Sequence, residues 1–323
     1  SVPFDISTSV SSAGMELVYS GSSAQFEMSN ETIPVDWGDG TSDTQSSVGS
    51  MTFSHTYGTS GTYTVTVTGN ADSWESQSAD TLIEVVSFGD LGLTSLEDAL
   101  QGEDNVTSVG PLPDTVTNIG GILSASDANP SGFQSWDTSN VEVMASAFQN
   151  AENFNQNITS WDVSNVTTMR RMFRRADAFS QNIDLWGADT SNVQDMRQMF
   201  YQSNFNETLN SWDTSSVTNM YEMFQSTPFN RDINNWDVGN VQDFRGMFLD
   251  SDFNQDIGDW DVSSADPSPF GGGTGLDQMF YLNTSFNQDL SDWCVTAIGS
   301  PPADFDAGAT AWTLPRPVWG TCP

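Results

Sequence analysis

An apolar pair returns along most of this 323-residue chain: Ala99-Leu100, Ile122-Leu123, Ala147-Phe148, Met172-Phe173, Met199-Phe200, Met223-Phe224, Met247-Phe248 and Met279-Phe280. Most intervals are 23 to 25 residues. Two are longer for visible reasons. LWGADTSNV (185–193) carries two extra residues, and VSSADPSPFGGGTG (262–275) carries about eight, rich in Gly and Pro. A period of this size restricts the chain to stacked copies of one small unit, each unable to bury its apolar face alone.

Within a unit, ITSWDV (158–163), INNWDV (233–238) and IGDWDV (257–262) space Ile, Trp and Val as in a leucine-rich-repeat strand, L-x-x-L-x-L. VTTMRRMF (166–173) follows, with Val166, Met169, Met172, Phe173 and Ala176 on one helical face. The expectation is a strand-and-helix coil. Columns of Phe and Asn come next, at 205/206, 229/230, 253/254 and 286/287, and the Asn reads as a ladder satisfying turn backbone. About eight coils at a strand spacing of about 4.8 Å predict a rod about 40 Å long.

Residues 1–87 have a different texture, rich in Ser, Thr and Val with period-two alternation. TYTVTVTG (62–69) sets Tyr63, Val65 and Val67 on one face. VDWGDGTSD (35–43) and FSHTYGTSGTY (53–63) add strands with Gly-containing turns, the makings of a small antiparallel sandwich.

The set WGDG, HTY and G-TYTVTVT resembles the polycystic kidney disease (PKD) family of immunoglobulin-like domains. By that resemblance Trp37, Gly38, Asp39, Gly40, His55, Tyr57 and Tyr63 are structural, and the lone histidine, His55, is a packed strand residue rather than a catalyst. WDVSNVTTMRRMF (161–173) and its copies resemble the BspA-like leucine-rich-repeat surface proteins of bacteria, across about 88–293. The expected architecture is an immunoglobulin/PKD-like β-sandwich (1–87), then an α/β leucine-rich-repeat solenoid of about eight coils (88–293), then a C-terminal cap (294–323). LTSLEDAL (93–100) and VTNIGGIL (116–123) read as degenerate capping repeats. Both resemblances imply a secreted or surface-anchored protein engaged in adhesion or recognition.

Cys294 and Cys322 are the only cysteines, both near the C-terminus. Their placement suits one disulfide in an oxidising compartment, the alternative being a metal pair with no His or third Cys at hand. The resemblance to closing segments of such surface proteins favours the disulfide. No run of about 18 apolar residues exists for a membrane span. SVPFDISTSV (1–10) lacks the charged and apolar regions of a signal peptide, so any such peptide was removed or never present.

Eight arginines stand against 43 acidic residues, a formal charge of -35. That excludes non-specific binding to nucleic acid or anionic membrane. Arg170 is the first basic residue, and Arg170, Arg171, Arg174 and Arg175 fall within six positions. With Arg197, Tyr201, Tyr221 and Arg245 they form the candidate partner surface, since Arg and Tyr dominate interaction hot spots. The competing reading pairs each Arg with a neighbour such as Asp195 or Asp243.

A second column is the Asp after each Trp: Asp137, Asp162, Asp213, Asp237 and Asp261. Asp162, Asp213, Asp237 and Asp261 are calcium candidates on residue type. The alternative is an Asx-turn at each, favoured because the column hardly varies while its neighbours do. N-x-S/T triplets occur at Asn30, Asn105, Asn157, Asn165, Asn206 and Asn283, of which Asn165 and Asn206 arise from the repeat itself. There is no H-E-x-x-H, G-x-S-x-G or phosphate loop, and no second histidine, so the chain reads as a non-enzyme requiring no cofactor. The expected partner is a glycan or surface protein. The alternative is a surface-layer or filament subunit whose acidic face meets the Arg face of another copy.

Overall fold

The computed structural model describes residues 14–77, 80–266 and 273–323. The amino-terminal stretch 1–10 and the middle of the insertion at 262–275 lie outside the described residues.

Strand β1 (Met15–Asp36) and β2 (Ser42–Val67) form a long antiparallel hairpin. Alternation buries Met15, Leu17 and Tyr19, then Ala24, Phe26 and Met28, then Ile33 and Val35. The change of phase coincides with register shifts between Gly21 and Ser23 and between Ser29 and Glu31, which bend the ribbon. Met15 and Val35, at opposite ends of β1, both stand opposite Val67. The hairpin is therefore folded over on itself. Strands β3 (Trp74–Ser76) and β4 (Leu82–Ser87) also pair with β1, and β5 (Ser108–Val109) pairs parallel with β4. The two-sheet sandwich expected here is thus one open mixed sheet, in the order β2-β1-β4-β5 with β3 off that path. Long bent strands let a single sheet cover both sides of its core.

The turn at Trp37–Thr41 packs against this core. Trp37 stacks on His55 at 5.0 Å, His55 meets Tyr57 edge-on at 4.7 Å, and Tyr57 stacks on Tyr63 at 3.6 Å. Gly38 has φ +79°, and a Cβ there would run into the Thr64 carbonyl oxygen. Only glycine fits.

The sheet runs directly into the repeats through β5, and Trp74, Phe88 and Trp136 form an aromatic bridge at 6.1 and 6.3 Å. From there isolated parallel bridges step Ser95, Asn118, Val143, Thr168, Asp195, Asn219, Asp243, one residue per repeat. After each bridge residue, alternate N–H groups donate to the following repeat. Met169, Arg171, Phe173 and Arg175 donate to the carbonyls of Asp195, Arg197, Met199 and Tyr201 at 3.0, 3.0, 2.9 and 2.9 Å. The same four rungs recur from 196–202 to 219–225 and from 220–226 to 243–249.

The α/β leucine-rich-repeat solenoid expected for 88–293 is not what forms. Among the described residues the only helical segments are 3₁₀, Phe133–Ser135 and Ile183–Asn192. The Trp-Asp-Val segments are not strands, and the parallel bridges lie later, in the stretch read as helix. The reason is in the backbone. Two left-handed residues, four apart, recur in nine successive layers: Asp98/Gly102, Gly121/Ala125, Ser146/Asn150, Arg171/Arg175, Gln198/Gln202, Glu222/Ser226, Gly246/Asp250, Gln278/Leu282 and Asp304/Gly308. An α-helix cannot continue through positive φ. Each repeat instead makes two consecutive turns, Met172 N–H to Met169 O and Ala176 N–H to Phe173 O, both at 3.1 Å. Negative φ followed by positive φ at the central pair is the sign pattern of a type II turn.

Side chains complete the stack. Phe148, Phe173, Phe200, Phe224, Phe248 and Phe280 form one column with ring spacings of 5.6, 5.7, 5.6, 6.0 and 5.7 Å. Each of these rings also lies against a second phenylalanine of its own repeat, as Phe173 against Phe179 at 3.9 Å. The Asn column forms the expected ladder: the N–H groups of Asn230, Asn254 and Asn287 donate to the side-chain oxygens of Asn206, Asn230 and Asn254. At the C-terminal end Gln278, Phe280 and Leu282 donate to Ala303, Phe305 and Ala307, adding a last layer. Cys294 and Cys322 are joined by a disulfide across that end.

Candidate functional site

Turn geometry decides what the candidate residues can do. In the sequence MRRMFRRA the turns point 169, 172, 173 and 176 inward, where all four are fully buried. The outward pairs are Arg170/Arg171 and Arg174/Arg175, half-buried except for the exposed Arg175. Equivalent positions in the next repeat are Arg197/Gln198 and Tyr201/Gln202, since these follow one hydrogen-bond rung along. Contacts therefore run along the stack.

The arginines divide into two groups by what holds them. Arg197 Nε stands 3.0 Å from Asp195 Oδ2, an ion pair by distance but too poorly aligned to satisfy that N–H as a hydrogen bond. Arg245 grips Asp243 with Nε and one terminal nitrogen, each at 2.8 Å, a bidentate pair whose carboxylate is buried. Arg316 pairs with Asp306 at 2.9 Å. In contrast, none of Arg170, Arg171, Arg174 and Arg175 belongs to an ion pair among the described residues. Arg171 Nε donates to Gln198 Oε1 at 2.6 Å and Arg175 Nε to Gln202 Oε1 at 2.8 Å. Arg174 lies over the Tyr201 ring at 4.8 Å, as Arg245 lies over Tyr221 at 5.3 Å. Arg231, outside the group, donates to the Asn206 carbonyl.

Electrostatics follow burial. The Asp195 carboxyl is pushed up by burial, which outweighs the lowering effects of the Arg197 backbone N–H and guanidinium and of the more distant charges of Arg170 and Arg171. Burial, then the Glu222 carboxylate, pushes up the Tyr221 hydroxyl. The Arg245 guanidinium is raised further by its bond to Asp243. An open cleft of about 340 Å³ lies among Arg197, Asn219, Tyr221, Asp243 and Arg245. It brings together three of the sequence candidates, whereas Arg170, Arg171, Arg174, Arg175 and Tyr201 lie outside its lining.

The Asp column has a local role. Asp137, Asp162, Asp213, Asp237 and Asp261 each accept, through Oδ1, the backbone N–H two residues on, at 2.9 to 3.1 Å. These are Asx-turns. Serine bonds draw the Asp137 and Asp261 carboxyls below the ordinary range. Among the described residues no three His, Cys, Asp or Glu side chains converge as a metal site.

Sequence reasoning missed Gln198 and Gln202, the neutral groups that orient two arginines. Their signal was available: they stand one repeat along from Arg171 and Arg175. It missed the His55–Asp39 pair too, at 2.8 Å. Together with the Thr41 hydroxyl, the larger influence, His55 draws the Asp39 carboxyl down to about 2.

A PKD domain family model matches residues 6–85. No curated protein and no solved structure matches the chain. No helix among the described residues is long and apolar enough to cross a membrane. A second family model matches residues 113–201, 187–270 and 271–310, more than half of the chain. In place of a BspA-like leucine-rich-repeat assignment, the repeats place this chain in the family described as Mycoplasma protein of unknown function, DUF285.

Proposed function

We propose that the protein is an extracellular or surface recognition molecule, without catalytic activity, whose repeats offer the Arg/Tyr surface to a glycan or protein partner. The observation that carries this reading is the set Arg170, Arg171, Arg174 and Arg175, in no ion pair among the described residues of a chain with 43 acidic groups. Support for the location comes from the PKD match and from the disulfide, which persists in oxidising surroundings. The PKD-like sheet serves as the spacer that carries the repeats. Binding of the whole chain to a panel of glycans, matrix proteins and cells tests the reading, beside a variant with all four arginines changed to Ala. Binding that the variant loses is expected. A chain that binds nothing on such a panel at any salt level defeats the reading.

A further inference from the structure

Three of the four unpaired arginines, Arg171, Arg174 and Arg175, are held in place by neutral groups, and that arrangement identifies a ligand class. We infer that the patch of Arg170, Arg171, Arg174, Arg175 and Tyr201 is a built site for an anionic polysaccharide, its sulfate or carboxylate groups taken by the preset forks of Arg171 and Arg175. The inference rests on the recognition reading above and narrows it.

Several observations converge. Arg171 and Arg175 occupy the two left-handed positions of one repeat, φ 58° and 55°, so they leave equivalent points of two successive turns. Each is tethered through Nε to a glutamine oxygen of the next repeat. Tethering there orients the guanidinium plane and leaves both terminal amino groups, the pair that grips an oxyanion bidentately, without a partner among the described residues. Gln198 is itself fixed, donating through Nε2 to Glu222 Oε2 at 2.6 Å. Arg174 is held by the Tyr201 ring rather than by a carboxylate. Arg197, Arg245 and Arg316 show the contrast, each set against an aspartate. Neutral tethers orient a cation and leave its charge for something else.

The chemistry of that something is bounded on two sides. A charge of -35 opposes a dense polyanion such as nucleic acid. A protein partner wants an apolar core to its interface. Among the described residues the large exposed apolar side chains are Val48, Val86, Leu185, Leu282, Leu314 and Val318, none of them in the patch. A sugar chain with spaced single charges meets both conditions, and Arg with a flanking Tyr suits it.

The test measures binding of the whole chain to immobilised kappa-carrageenan (one sulfate per disaccharide), polygalacturonate (carboxylated) and dextran (neutral) over a range of salt. Binding to a charged polymer and not to dextran is expected. Gln198→Leu with Gln202→Leu changes no charge but frees both forks, and is expected to weaken binding about tenfold, as is Arg171→Lys with Arg175→Lys. Thermal unfolding checks that each variant is folded, and Gln202→Leu alone serves if the pair is not. Unchanged binding by the folded glutamine variant overturns the inference, because charge alone then suffices. So does Arg-dependent binding to a protein with none to the polymers, which leaves the recognition reading standing. Self-association lost on arginine substitution, read by light scattering, also overturns it by assigning the patch to a second copy. Failure to bind anything defeats both.

Discussion

The PKD-like sheet and the repeats use the same materials, aromatic rings and backbone bonds, in opposite ways. In the sheet each ring has its own place: Trp37, His55, Tyr57 and Tyr63 make one chain of unlike contacts. In the repeats one contact is copied, Phe on Phe at 5.6 to 6.0 Å through successive layers. The sheet's strands bond mainly to β1, whereas each repeat bonds to the next through four rungs, three at the last layer. Stability is thus unique to its site in one region and shared with neighbours in the other.

The largest test of this contrast is Phe200→Ala. Phe200 is fully buried between Phe173 and Phe224 and against Phe205. A loss of about 3–5 kcal/mol is expected in denaturant unfolding. Hydrogen exchange should rise in the repeats on both sides while the sheet stays protected; damage confined to one repeat would break the comparison. Removing the disulfide with Cys294→Ser and Cys322→Ser costs about 3–4 kcal/mol by loop-closure entropy. Proteolysis should then begin at the C-terminal layer and leave the sheet intact. Gly38→Ala should cost about 2–3 kcal/mol, through positive φ and the clash with the Thr64 carbonyl, and lower the melting of the sheet alone.

Acid separates the regions by sign. Asp39 in the sheet has its folded value drawn down to about 2 from an ordinary 3.8. The stabilisation it gives is present above about pH 4 and lost as pH falls toward 2. Asp195 in the repeats is raised instead, so protonation there relieves a cost. The sheet should therefore soften first on acidification, followed by hydrogen exchange of the amides of β1 and β2, and Asp39→Asn should remove that pH dependence. The smallest effect concerns the turns. Ser226 has φ 53°, and Ser226→Gly relieves a left-handed side chain at some cost in chain entropy. A net gain of about 0.5 kcal/mol is expected, opposite in sign to the glycine change at 38.

Much of this was legible in the residues, and the errors have a physical source. The period, the inward positions 166, 169, 172, 173 and 176, and the Asn ladder follow from repetition, which exposes equivalent positions. The helix was misread because two successive turns place residues inward at i, i+3, i+4 and i+7, the same pattern an amphipathic helix shows. The corrective signal sat in the outward columns, where Gly102, Gly121, Asn150, Gly246 and Gly308 stand at positions of positive φ. Residues that tolerate left-handed backbone, recurring at fixed phase, argue against a helix. At the candidate site the arginines were conspicuous by rarity. Their glutamine tethers were not, because a neutral polar side chain has no compositional contrast on a polar surface.

The identical rungs between layers also bear on how such a gene changes length. Loss of one unit by recombination between copies, for example residues 195–218, would bring the donors at 169, 171, 173 and 175 opposite the carbonyls now used by 196, 198, 200 and 202. No new interface would have to be selected. An array of this kind can lengthen or shorten by whole units of about two dozen codons, while the sheet at its start and the disulfide-bound layer at its end remain as they are.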